Sequence, residues 1–283
     1  MTTAQIQNGT KFVTRRRLIV AAAIFGLFLG LDGSPTPVTA QTVDTPTVLI
    51  TGSNRGLGFE WTKQYAAKGW NVIATCRTPE KADALQSLAE EYDNITIERL
   101  DVLNHVMIDA LSEKYKDRPI DVLLNNAGMS GSPSPTQVFG NLDAFEFDRY
   151  MRTNAWGPLR ISQGFIEQVK ASEQKKIISM ASLAGSFGAK SGGVTGLYYY
   201  KSSKAALNII MANLARELER DGVIVATLSP GIVDTQDQIP EGVTFPGLVP
   251  IEESISRLIG VIEGLSSEES GKFIRYNGEE QPF

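Results

Sequence analysis

Thiol and imidazole are almost missing from this chain. Its 283 residues hold one cysteine, Cys76, and one histidine, His105. A single cysteine excludes an intramolecular disulfide and a cysteine-built metal site. A single histidine excludes a histidine-rich metal site, and a Ser-His-Asp hydrolase would have to stand on His105 alone. Charge of one sign is not concentrated either. The net charge is −5 and the signs are mixed along the chain, so no clustered basic face is present to hold nucleic acid. What remains is an ordinary globular balance, 42% hydrophobic and 21% charged, enough to bury one domain's core without covalent staples. His105 reads as a surface helix residue and Cys76 as filler at a strand end.

The first forty residues read as a leader. Lys11, Arg15, Arg16 and Arg17 precede a 14-residue apolar run, Leu18 to Leu31, and a Pro-rich stretch ending in "VTA". That is the charge, apolar core and small-residue cleavage site of a signal peptide, cut after Ala40. The run falls short of the roughly 20 residues of a membrane span, and an uncleaved N-terminal anchor is the alternative. Thr14, Arg15 and Arg16 resemble a twin-arginine motif, although Leu18 and Val20 depart from its commonest residues. That export machinery carries proteins already folded, and the compartment expected is the periplasm. Without the leader the chain is acidic, about −8.

From residue 47 onward, apolar runs rich in β-branched residues alternate with helical patterns. "TVLIT", "NVIATC", "ITIERL" and "IDVLLNN" read as strands separated by helices, including one over "PEKADALQSLAEEY" and one capped by Asn104. "KKIISMAS", "VIVATLSP" and "GKFIRY" add three more, with helices over 142–172, 200–220 and "IEESISRLIGVIEGL". The expectation is an α/β fold, a single Rossmann-type doubly wound parallel sheet of about seven strands, occupying residues 41–283. "GAKSGGVTG" and "DTQDQIPEGVTFPGLVP" read as its two long loops.

"TGSNRGLG" ends the first strand and opens the first helix. Gly52, Gly56 and Gly58 permit a tight turn and close backbone approach, and the helix N-terminus behind them favours phosphate. The same glycines would also serve a simple strand-to-helix turn. Further on, "GLYYYKSSKAAL" sets three tyrosines before two lysines. An ammonium beside a phenol lowers its pKa and equips it for proton transfer. Tyr200 and Lys204 are spaced i, i+4 and share a helix face. Tyr198 and Lys201 are spaced i, i+3 and share one too, so spacing alone leaves both pairs open.

These motifs resemble the short-chain dehydrogenase/reductase family in their order: the glycine turn, "NNAG" (125–128), Asn154, Ser182, Tyr200 with Lys204 as YxxxK, and "SPGIVDT" (229–235). Within it the chain is similar to small carbonyl reductases related to bacterial C-factor and the insect sniffer protein. The resemblance covers roughly residues 47–283 and implies an NADP-dependent oxidoreductase acting on a carbonyl or alcohol, working as a homodimer. It implies Tyr200 as acid or base, Lys204 as the group that lowers its pKa, Ser182 on the substrate oxygen and Asn154 in a proton relay. The rival serine Ser179 lies inside its strand. The cofactor would meet Gly52, Ser53, Arg55, Gly56, Leu57 and Gly58, then Asp101 and Val102 near the adenine. Asn126, Ala127 and Gly128 would run beside the adenosine ribose, and Tyr200 and Lys204 would also meet the cofactor. Pro230, Gly231, Val233 and Thr235 would cover the nicotinamide. The second strand ends without a carboxylate, and Arg77 and Arg55 suit the extra phosphate of NADP. Asp101 could equally serve as an anion at the next helix's start. Ser182 and Tyr200 stand farther apart than is usual in the family, which bears on the substrate pocket. The alternative function is an idle nucleotide-binding or sensing module.

Overall fold

The computed structural model describes residues 45–130, 135–189, 196–234 and 247–283. The leader, residues 131–134 and much of both long loops lie outside the described residues.

Short β-branched runs with no polar interruption make strands that can be buried on both faces. β1 (Thr47–Thr51), β4 (Val122–Asn125) and β5 (Lys176–Met180) are buried along their whole length. β2 (Asn71–Cys76), β3 (Ile95–Arg99), β6 (Ile224–Ser229) and β7 (Phe273–Arg275) continue the sheet, and β8 (Glu280–Gln281) ends it. The order is β3-β2-β1-β4-β5-β6-β7-β8, parallel except for the antiparallel β7–β8 pair. The sheet therefore has eight strands rather than about seven. The extra one is two residues long, too short for a periodic signal, and is turned back by Gly278 at φ +84.

Helices cover both faces. α1 (Gly56–Ala67), α2 (Asp83–Glu91) and α8 (Ile251–Gly264) pack over Val48, Ile50, Val122 and Leu124. α3 (His105–Lys114), α5 (Gly157–Gly164) and α7 (Tyr198–Leu218) pack over Leu49, Leu123, Ile177 and Val225. α4 (Ala144–Met151) leads into α5, and α6 (Ile166–Lys170) follows it. The helix expected from Pro79 divides into a 3-10 turn, Pro79–Lys81, and α2. Asn104 caps α3 as expected, its side chain accepting from Met107 N–H at 3.1 Å.

One buried charge serves the scaffold. Lys176 on β5 reaches across to the end of α8 and donates from Nζ to the Ile262 carbonyl at 2.7 Å. That carbonyl also accepts from Leu265 N–H at 3.3 Å, so the ammonium strengthens the helix end, and burial pulls it below the ordinary lysine value.

Candidate active site

The glycine turn, Arg77, Asp101, Asn126–Gly128, Ser182 and Pro230 each follow the C-terminal end of a strand, so they gather along one edge of the parallel sheet, where ligands of open α/β sheets bind. β1 and β4 meet at the change of winding direction. Thr51 laces their ends together, its Oγ1 accepting from the N–H groups of Asn126 and Ala127 at 3.0 Å each. Asn126 Nδ2 donates back to the carbonyls of Thr51 (2.9 Å) and Gly52 (3.2 Å).

The glycine turn is sterically determined. Gly52 has φ +73, and a Cβ on Gly58 would stand 2.0 Å from the Gly52 oxygen and 2.6 Å from Asn126 Nδ2. Gly56 opens α1 with φ +56, and Leu57 packs against the core. The first turn of α1 carries no acidic residue and no side-chain cap, so its positive end is not neutralised. Ser53 differs from the expectation. It is fully buried, donating from Oγ to the Ile50 carbonyl at 3.1 Å and from its N–H to the Thr75 carbonyl at 2.8 Å. Both donors brace the turn, and neither is open to a ligand.

Asn154 lies in a π-helical turn, Arg152–Trp156, between α4 and α5. It is buried, and its amide is committed on both sides. Oδ1 accepts from Met129 N–H at 2.7 Å, while Nδ2 donates to the Met129 carbonyl at 3.1 Å and to Ser203 Oγ at 3.0 Å. Lys204, also buried, donates from Nζ to the Met180 carbonyl at 2.7 Å, and that nitrogen is 5.9 Å from the centre of the Tyr200 ring. A Cβ on Gly128 would meet Asn154 Oδ1 at 3.1 Å and Lys204 Nζ at 3.6 Å, so the two side chains converge on that glycine. Ser182 follows the end of β5 and is hydrogen-bonded to Tyr200. Its Oγ also accepts from Ala184 N–H at 3.2 Å. The four residues of the expected catalytic set thus come together.

The chain matches the short chain dehydrogenase family over residues 46–242. It belongs to that family. It is similar to C-signal of Myxococcus xanthus, 33% identical over 165 residues, covering 58% of this chain and 93% of that protein. Among solved structures it resembles the NADPH-bound carbonyl reductase from chicken fatty liver (TM-score 0.76, 29% identity, 84% of this chain and 99% of that one). It also resembles the carbonyl reductase Sniffer of D. melanogaster (TM-score 0.74, 28% identity, 84% and 100%). The expected oxidoreductase class and its carbonyl-reductase kinship therefore hold.

The electrostatics of this short-chain dehydrogenase depart from one expectation. Lys204 does not reverse the effect of burial on the Tyr200 phenol. Burial pushes that phenol up, and the hydrogen bond with Ser182 works against the rise. Burial also takes the Lys204 ammonium down, to about 8, with no carboxylate beside it to oppose the change. The lysine spends its bond on the Met180 carbonyl, and desolvation is the largest influence on both groups.

Arg55 and Arg77 are exposed, and neither makes an ion pair among the described residues. Arg99 lies beside Arg77, donating to its carbonyl at 3.3 Å and to Glu80 at 2.5 Å. It sits on β3, and nothing in the linear pattern ties it to Arg77. Asp101 closes a local turn, accepting from Leu103 N–H at 3.0 Å, and leaves the helix cap to Asn104. Val102 is buried against Gly157. Pro230 is braced by Ser254 Oγ at 2.7 Å, and Gly231 has φ +85 with Tyr276 where a Cβ would go. Val233 is half-buried, and Thr235 lies outside the described residues.

The three tyrosines divide. Tyr198 is the first residue of α7 rather than part of the loop before it, and is half-exposed. Tyr199 is buried against Tyr150 and Phe147, and its hydroxyl oxygen accepts from the Asp143 N–H. Ser179 is wholly buried and accepts from Asn125 Nδ2 at 3.3 Å, a strand residue as expected. His105 is an exposed helix residue that accepts from Trp156 Nε1 at 3.3 Å. Cys76 is buried, and that burial pushes its thiol up.

Proposed function

We propose that this dehydrogenase interconverts a carbonyl and its alcohol using NADP. The observation that carries the reading is the convergence of Asn154 and Lys204 on Gly128, with Tyr200 beside that lysine and Ser182 beside Tyr200. The residues fit the nucleotide by their chemistry. An uncapped helix N-terminus suits a pyrophosphate, and two free guanidiniums, Arg55 and Arg77, suit a dianionic phosphate. The NADPH named for the chicken carbonyl reductase supports the same choice. When bound, the nicotinamide supplies or takes the hydride.

The chain's own residues handle the substrate oxygen and its proton. In reduction the carbonyl oxygen gains negative charge as its carbon accepts hydride. Ser182 donates a hydrogen bond to that oxygen, and Tyr200 passes it the phenolic proton. Lys204 stabilises the phenolate left behind, and Asn154 fixes Met129 and Ser203 around the lysine. The reverse sequence oxidises the alcohol.

Tyr200→Phe tests the reading directly. Turnover of NADPH with benzaldehyde, phenylglyoxal and a naphthoquinone should fall by about 10²- to 10⁴-fold, the range of a lost general acid. Unchanged turnover in this variant would mean catalysis by another route, and no turnover in wild type would mean an idle nucleotide binder. We also infer that the leader exports the chain to the periplasm already folded, with nucleotide bound. Protein recovered from that compartment should release NADP on denaturation. Apo protein of weak affinity there would refute it. Assembly as a homodimer is the matching proposal for its quaternary state, read by light scattering.

A further inference from the structure

The helix that carries Tyr200 starts without a cap of its own. Its N-cap residue, Leu197, adopts φ 56 and ψ 32, and no side chain there bonds the first turn. The first N–H groups of any helix need partners from outside it. One of them is supplied from 63 positions away. Gln137 Oε1 accepts from the Tyr200 N–H at 3.2 Å. Gln137 lies in a 3-10 turn, Pro135–Gln137, and is 1% exposed.

The other end of the same amide is anchored. Gln137 Nε2 donates to the Tyr150 hydroxyl at 3.1 Å, and that hydroxyl donates to the Ser130 carbonyl at 3.0 Å. The backbone closes over it too. Gly196, at φ +74, passes the Gln137 carbonyl so closely that a Cβ would stand 3.2 Å away. The loop after Gly128 is thereby tied to the residue facing Ser182. The groups around the Tyr200 phenol are Ser182 from the loop after β5, Tyr150 from α4 and Lys204 from α7. Tyr150 is itself held in place by Gln137.

We propose that Gln137 is a positioning residue for the reaction, its amide fixing the start of α7 so that Tyr200 meets Ser182. It touches neither reacting atom. This rests on the reading of Tyr200 as acid or base, and the experiment separates the two. Glutamine's neutral amide both accepts and donates here, so the two halves of its role can be removed in turn.

Gln137→Leu removes both bonds, while Gln137→Glu keeps an acceptor for the Tyr200 N–H. With NADPH and whichever of the three carbonyl probes the wild-type protein reduces fastest, Gln137→Leu should lower kcat by roughly ten- to a hundredfold, the effect of a small misplacement. The KM for NADPH should stay within about twofold, because the glycine turn is untouched. The Tyr200 limb of the pH profile should move to higher pH, because the Ser182 hydrogen bond that opposes the rise is weakened. Gln137→Glu should recover most of the rate. Tyr150→Phe, which removes both bonds of that hydroxyl but leaves the Gln137 bond to the Tyr200 N–H, should lower kcat by less with the KM for NADPH unmoved, and it carries the test if Gln137→Leu does not fold. A limb that stays in place in Gln137→Leu, an unchanged kcat in Tyr150→Phe, or a Glu variant as slow as the Leu variant would overturn the proposal. If Tyr200→Phe is fully active, the function reading fails first, and the Gln137 variants should then leave the rate unmoved.

Discussion

The glycine turn at residues 52–58 and the shelf formed by Ser182, Tyr200 and Lys204 lie on the same sheet edge, yet they are held by different forces. The turn is set by sterics. Gly58 stands where a Cβ would enter the Gly52 carbonyl, and Gly52 adopts a left-handed conformation. The shelf is set by buried side-chain hydrogen bonds whose partners come from distant segments, as in Gln137 to Tyr200, Asn154 to Met129 and Lys204 to Met180. A steric site depends on what is absent from one short stretch. A hydrogen-bonded site depends on what several distant stretches contribute together.

Variants can break that contrast or sharpen it. Gly58→Ala should have the largest effect, costing about 3 kcal/mol or more of stability because backbone, not a flexible tip, meets the new methyl. Thermal unfolding reads it, and an unchanged Tm would mean the turn is not sterically determined. Lys204→Met should cost activity without costing stability. Turnover should fall by at least about a hundredfold, while the chain without nucleotide should be as stable as wild type or more so. Its pH dependence should change as well. The ordinary lysine value is 10.5 and burial takes Lys204 to about 8. Between those values the unfolded chain holds a proton the folded chain has lost. Wild-type stability should therefore rise with pH across the window and be lost as pH falls through about 8, an amplitude of about 3 kcal/mol. Denaturant titrations from pH 7 to about 10.5 should show that slope in wild type and not in Lys204→Met.

Arg77→Ala should act more mildly, raising the KM for NADPH about tenfold and leaving that for NADH nearly fixed, in line with one lost charged hydrogen bond. Equal changes for both nucleotides would remove Arg77 from phosphate recognition. Tyr199→Phe should have the smallest effect, about 1 kcal/mol of stability from its lost bond with Asp143 and little change in turnover. Two neighbouring tyrosines would then differ cleanly, Tyr199 in melting and Tyr200 in catalysis.

The same contrast explains what is legible in the sequence. The strands can be read because uninterrupted apolar runs have few alternatives, and "TVLIT" and "NVIATC" coincide with β1 and β2. The glycine turn and the Tyr200–Lys204 pair can be read because local spacing carries them. Gln137 cannot, since a lone glutamine in "SPSPTQVFG" has no periodicity and its partner is 63 positions on. Ser53 misleads because its neighbours form the turn, and only the folded backbone shows its hydroxyl directed at Ile50. The phenol's direction misleads because i, i+4 spacing promises proximity without counting desolvation. Lys204 turns to Met180, and burial dominates.

The π turn at Arg152–Trp156 has a further meaning. A helix that bonds i to i+5 for one turn stores one surplus residue inside an otherwise regular rod. Deleting a single residue there would let the rod heal into ordinary α-helix, at little cost in backbone hydrogen bonds. The flanks would keep their faces, and what would be lost is the bulged backbone that brings the amide of Asn154 to Met129 and Ser203. The proposed reaction centre is thus kept by an irregularity that the fold itself does not need. Chains of this kind can lose their chemistry by becoming more regular.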